Sequence, residues 1–134
     1  MDDLYRDEIL EHYRNPHNFG TLDEPTTVKE GANPLCGDRI TLMLGIDESG
    51  HVNDVKFTGR GCAISQASAS ILTDELRGQS LDDVRAIDPK HVLDELGVPI
   101  GPARLKCALL SYKVLQGAVR GEEIAWPEEA EAAV

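Results

Sequence analysis

Cysteine, aromatic residues, positive charge and long apolar runs are all scarce in this chain. There are three cysteines in 134 residues, an odd number that cannot all pair within the chain. In a reducing compartment such cysteines point to metal binding or thiol chemistry rather than to a disulfide framework. Aromatics make up only 4% of the residues, so aliphatic side chains and alanine must build the core. Thirteen basic residues stand against 24 acidic ones, a net charge of -11. That balance excludes non-specific nucleic-acid binding, which needs a basic surface. The absence of a long apolar run excludes a transmembrane helix, and no membrane partner is expected. Asp2 and Asp3 at the N-terminus argue against a secretory signal peptide, so the expected location is cytoplasmic.

What is present is a single domain's worth of chain. Residues 3–14 predict a first helix, capped by Asp2 or Asp3 and stopped by Asn15-Pro16. Residues 15–37 are rich in Asn, Pro, Gly and Thr and read as loop, with a short strand at 26–29. Residues 39–46 alternate, with Ile40, Leu42, Leu44 and Ile46 on one face, as in a half-buried strand. Asp47-Glu48-Ser49-Gly50 predicts a hairpin turn. A second strand follows through Val55 and Phe57, and the phase slip at Val52 predicts a bulge near Asn53-Asp54. From Ile64 to Leu76 the apolar period becomes helical, and Gly78 ends the run. Two short helices are expected over 80–87 and 89–96, then a turn-rich loop over 97–102 and a last helix over 103–119. Lys106, Lys113 and Arg120 form its expected solvated edge. The domain is expected over 1–120, with an acidic tail over 121–134 that carries five glutamates. Helix, antiparallel strands, then helices is the order of an α+β fold with helices on a small antiparallel sheet.

The three cysteines fall where elements meet. Cys36 and Asp38 lie in Asn33-Pro34-Leu35-Cys36-Gly37-Asp38, entering the first clear strand. Cys62 stands between the hairpin and the second helix, and Cys107 lies in the first turn of the last helix. Helix N-termini favour the thiolate, the form that binds metal and attacks sulfur. Gly37 and Gly61 allow close backbone approach to a metal or a partner. Three thiolates and a carboxylate suffice for one tetrahedral metal ion or an iron–sulfur cluster. The bland alternative is three inert buried cysteines, and the C-x-x-C pair of the usual zinc ribbon is absent. His12, His17, His51 and His91 adjoin no cysteine and read as exposed or core-edge residues.

Four stretches carry a resemblance. They are His12-Tyr13-Arg14-Asn15-Pro16-His17-Asn18-Phe19-Gly20, Asn33-Pro34-Leu35-Cys36-Gly37-Asp38, Gly59-Arg60-Gly61-Cys62-Ala63-Ile64-Ser65-Gln66-Ala67-Ser68-Ala69-Ser70 and Pro102-Ala103-Arg104-Leu105-Lys106-Cys107-Ala108. In that order they resemble the iron–sulfur cluster assembly family of IscU, SufU and the N-terminal domain of NifU. The resemblance implies a three-stranded antiparallel sheet, and one site made of Cys36, Asp38, Cys62 and Cys107. It also implies a PLP-dependent cysteine desulfurase as sulfur donor, and downstream cluster-assembly or acceptor proteins. Lys106 stands where the IscU branch has a histidine, and Ile100-Gly101-Pro102-Ala103-Arg104 stands where that branch has its chaperone-binding sequence. Both features look SufU-like, whereas the span from Cys62 to Cys107 is as short as in IscU-like chains.

Three readings follow from the resemblance. In the first, a SufU-like zinc-dependent sulfurtransferase, Cys36 leaves the zinc to accept persulfide sulfur and Arg104 steers the anionic group. In the second, an IscU-like scaffold, Cys36, Cys62 and Cys107 hold a transient [2Fe–2S] cluster with Asp38, and Cys107 is the sulfur acceptor. In the third the zinc is structural and the domain is an interaction module. Lys106 in place of histidine favours the first.

Overall fold

In a computed structural model, residues 3–35 and 37–126 are described. The helix α1 (Asp3–Arg14) leads to a sheet of β1 (Thr27–Asn33), β2 (Asp38–Ile46) and β3 (Val52–Arg60). Then come α2 (Ala63–Asp74), α3 (Leu81–Arg85), α4 (Pro89–Leu96), a 3₁₀ turn (Pro102–Arg104) and α5 (Leu105–Arg120). The strands form an antiparallel meander in the order β1-β2-β3. This is the expected α+β fold with a three-stranded sheet.

The clear alternation in β2 makes it the central strand. Its inward face carries Asp38, Ile40, Leu42 and Leu44, all buried. That stripe packs with Phe57 and Val55 of β3 and with Leu109, Leu110 and Leu115 of α5 to form the main core. The expected bulge is present: Asn53 is the extra residue between the pairs Gly45–Asp54 and Ile46–Val52. Gly45 makes room for it, because a Cβ there would lie 2.5 Å from Asn53 Oδ1.

β1 is longer than the expected strand at 26–29. Its inward positions are Thr27, Lys29, Gly31 and Asn33, which carry no apolar periodicity. Gly31 is small because α5 crosses there, and a Cβ would come within 2.6 Å of Val114 Cγ2. Beyond β3, residues within the expected loop also pair. Phe57 N–H donates to Asn18 O, and Gly20 N–H donates to Phe57 O, both at 2.9 Å.

The helices are set by their ends. Ser80 caps α3 and Asp88 caps α4, each through its side-chain oxygen, and Gly97 closes α4 in the left-handed region. α2 is the buried helix. Ala67, Ser68, Ala69 and Ser70 are small enough for close packing by α1 on one side and α5 on the other, and Ser68 Oγ donates to Ala108 O at 2.7 Å.

After α5 the chain turns back on itself. Glu123 pairs with Lys29 at 2.7 Å and with Lys113 at 3.3 Å. Trp126 is buried, with the ammonium groups of Lys106 and Lys113 5.3 and 5.4 Å from its ring centroid. Lys113 is therefore not the solvated edge residue its spacing suggested; its side chain is 18% exposed. Residues 127–134 of the expected tail lie outside the described residues.

Candidate metal centre

Asp38, Cys62 and Cys107 come together from three elements, each offering a donor atom within 4.8 Å of the other two. The local reasons are readable. Asp38 opens β2 in phase with Ile40, Leu42 and Leu44, so the alternation that builds the core also buries its carboxylate, 1% exposed. Cys107 is on the α5 stripe with Leu110 and Val114, which meets Gly31 on the inward face of β1. Cys62 has the backbone conformation of an N-cap for α2, but its thiol caps nothing. It turns instead to Asp38, with Sγ 3.7 Å from Oδ2.

Two contacts hold the carboxylate side. The backbone N–H of Cys62 donates to Asp38 Oδ1 at 2.9 Å. Gly61 sits at φ +142°, where a Cβ would be 2.1 Å from the same oxygen. This glycine was expected to let backbone approach a metal or partner; what it admits is the Asp38 carboxylate. A buried carboxylate is costly without such partners or a cation.

Asn33 is the residue that the motifs contained but to which no role was attached. Its amide Nδ2 donates to Cys107 Sγ at 3.7 Å, its Oδ1 accepts from Leu35 N–H at 3.1 Å, and its carbonyl accepts from Gly37 N–H at 2.9 Å. It thus ties the turn between β1 and β2 to the third cysteine. Asn followed by Pro signals the turn but not the contact with Cys107, which lies 74 residues away. Cys36 itself lies outside the described residues, although its neighbours Leu35 and Gly37 belong to that turn. Leu35 is 78% exposed.

Arg104 is exposed and lines a groove of ≈ 570 Å³ with Arg6, Ile9, Ile64, Val98 and Ile100. The groove opens beside Ala63, the residue after Cys62. His51 and His91 are exposed and His12 is half-buried, in line with the sequence reading. His12 and His17 lie near Asp74, away from the cysteines.

A sequence profile of the NifU-like N terminal domain matches residues 4–122. The chain belongs to that family. Among relatives, the zinc-dependent sulfurtransferase SufU of Bacillus subtilis is 39% identical over 140 residues, covering 92% of this chain and 94% of that one. The iron–sulfur cluster assembly scaffold protein IscU of Haemophilus influenzae is 34% identical over 119 residues, covering 86% and 92%. A solved structure of the N-terminal part of a nitrogen-fixing NifU-like protein from Brucella abortus superposes with a TM-score of 0.72 at 29% identity, covering 89% and 94%. Family membership accounts for nearly the whole described fold. Among the described residues no helix is long and apolar enough to cross a membrane.

Proposed function

We propose that this chain is an iron–sulfur cluster assembly protein that accepts sulfur in the manner of a SufU-like sulfurtransferase. The observation that carries the reading is the convergence of two thiols and a carboxylate, from three separate elements, on one largely buried point. The similarity to a zinc-dependent sulfurtransferase at 39% identity supports it.

The donor set suits zinc: two sulfur ligands and one carboxylate oxygen, with Cys36 as the fourth. When bound there, zinc keeps the thiols deprotonated. Asp38, Cys62 and Cys107 hold the centre, fixed by the Cys62 N–H, by Gly61 and by the Asn33 amide. Cys36 is the acceptor. The sulfur donor is the persulfide of a PLP-dependent cysteine desulfurase. The Cys36 thiolate attacks the outer sulfur, the donor's S–S bond breaks, and a new S–S bond forms on Cys36. The donor cysteine leaves as a thiolate, so no external oxidant or reductant is consumed. Arg104 and Arg6 place positive charge on a groove beside Cys62 and would attract an acidic or persulfide-bearing partner segment.

The test is Cys36→Ala with the desulfurase and cysteine. Sulfur uptake by the variant is expected to vanish while zinc uptake persists through the other three residues. Transfer at the wild-type rate would overturn the reading. The IscU-like alternative, in which Cys36, Cys62, Cys107 and Asp38 hold a transient [2Fe–2S] cluster as cargo, rests on the 34% identity to IscU. It predicts a coloured product on anaerobic reconstitution with iron. Lys106 speaks against it, since this position supplies an ammonium facing Trp126 where the IscU branch supplies an imidazole.

A further inference from the structure

At the far end of α2 from Cys62, a second group of donor side chains meets. His12 comes from α1, His17 from the segment after Pro16, and Asp74 is the last residue of α2. Each presents a donor atom within 4.8 Å of the other two. The imidazole centroids are 4.5 Å apart. Two imidazoles so close are a poor arrangement for two cations and a good one for two neutral lone pairs. We propose that His12, His17 and Asp74 form a second metal site, for a borderline divalent cation such as Zn²⁺, Co²⁺ or Fe²⁺.

The surroundings orient the donors. His12 Nδ1 meets Ser70 Oγ at 2.7 Å, and the same oxygen accepts from the His17 N–H at 2.8 Å. Asn18 Nδ2 donates to Asp74 Oδ1 at 3.0 Å, and Arg77 Nη1 donates to Asn18 Oδ1 at 2.6 Å. Ligands of metal sites are usually held by such partners. Asp74 Oδ2 is 2.6 Å from His17 Nδ1, so the anionic oxygen and an imidazole already share one edge of the group. The side chains of His17 and Asp74 are 50% and 42% exposed, leaving a path for an ion and room for water on it. A tetrahedral ion with ~2.0 Å bonds needs donors ~3.3 Å apart, and the two exposed side chains are the ones free to adjust to it. Two imidazoles and a carboxylate without sulfur suit a borderline divalent ion rather than Mg²⁺ or Ca²⁺.

The site differs chemically from the cysteine group, and cobalt reports that difference. The metal-free full chain is titrated with Co²⁺ and followed by absorption and calorimetry. One equivalent brings thiolate-to-cobalt charge transfer; a second is expected to bind without it. His17→Gln and Asp74→Asn, both at exposed positions, are each expected to weaken the second equivalent by more than ~10-fold and to leave the charge-transfer band intact. Circular dichroism confirms the fold of each variant, and either folded variant decides the matter. Saturation of the wild type at one equivalent, or a second equivalent indifferent to both variants, would overturn the proposal. A missing charge-transfer band with the second equivalent retained would count against the cysteine centre alone.

Discussion

The two ends of α2 solve one problem in different ways. At the N-terminal end, Cys62 faces Asp38 and Cys107 in a largely buried setting, and backbone atoms hold the Asp38 carboxylate: a Cys62 N–H, and a glycine where nothing larger fits. At the C-terminal end, His17 and Asp74 are exposed and His12 is half-buried, and hydrogen bonds to the Ser70 and Asn18 side chains hold them. The carboxylate side of the first arrangement has little slack, because the backbone atoms that fix it cannot rotate. The second can relax around a change.

Gly61→Ala attacks the first kind of support and carries the largest expected effect. A methyl group 2.1 Å from Asp38 Oδ1, at a φ of +142°, displaces either the carboxylate or the start of α2. The expected cost is roughly 2–4 kcal/mol of stability in chemical unfolding. Zinc uptake at the cysteine group is expected to fall with it. A variant as stable as wild type with full zinc content would break the contrast drawn above.

Ser70→Ala tests the other end. Ser70 is fully buried and serves both His12 and the His17 N–H, so its loss leaves polar groups short of a partner. A cost of about 1–2 kcal/mol is expected. Zinc at the cysteine group should be unchanged, and loss of that zinc would show that the two ends are coupled through α2.

The smallest effect is a pH dependence at Glu75, which caps the C-terminus of α2. The His91 ring bonds the Glu75 carboxylate at 2.8 Å, and this raises His91 above its ordinary value of 6.5. A raised folded-state value means that the folded chain holds the proton more tightly. The stabilisation is complete below pH 6.5 and is lost as pH rises through the raised value. Melting curves at pH 6 and pH 8 should therefore differ more for wild type than for Glu75→Gln. Equal pH sensitivity in the two proteins would remove His91 as the cause.

The same contrast explains what the sequence made legible. β2, β3, α2 and α5 announce themselves because their inward faces are apolar at the period of the element. β1 does not, since α5 presses against Gly31 and the Lys29 stem and leaves no room for an apolar stripe. Three of the four residues expected at the cysteine centre are brought together by their elements, and Cys36 falls outside the described residues. Asn33 stayed hidden because an asparagine before proline already has a local explanation as a turn former. The imidazole group was illegible for a different reason. His12 and His17 are near in sequence, but Asp74 joins them only through the packing of α1 on α2. No local pattern encodes that meeting.

The tryptophan that closes the described chain has a practical consequence. Trp126 is the only tryptophan, so the protein's indole emission comes from a single place. Its ring carries the ammonium of Lys106, the residue immediately before Cys107. Any displacement of Lys106 changes the surroundings of that one chromophore. Indole emission is thus an unlabelled readout of the neighbourhood of Cys107, to be followed as metal is added to the full chain.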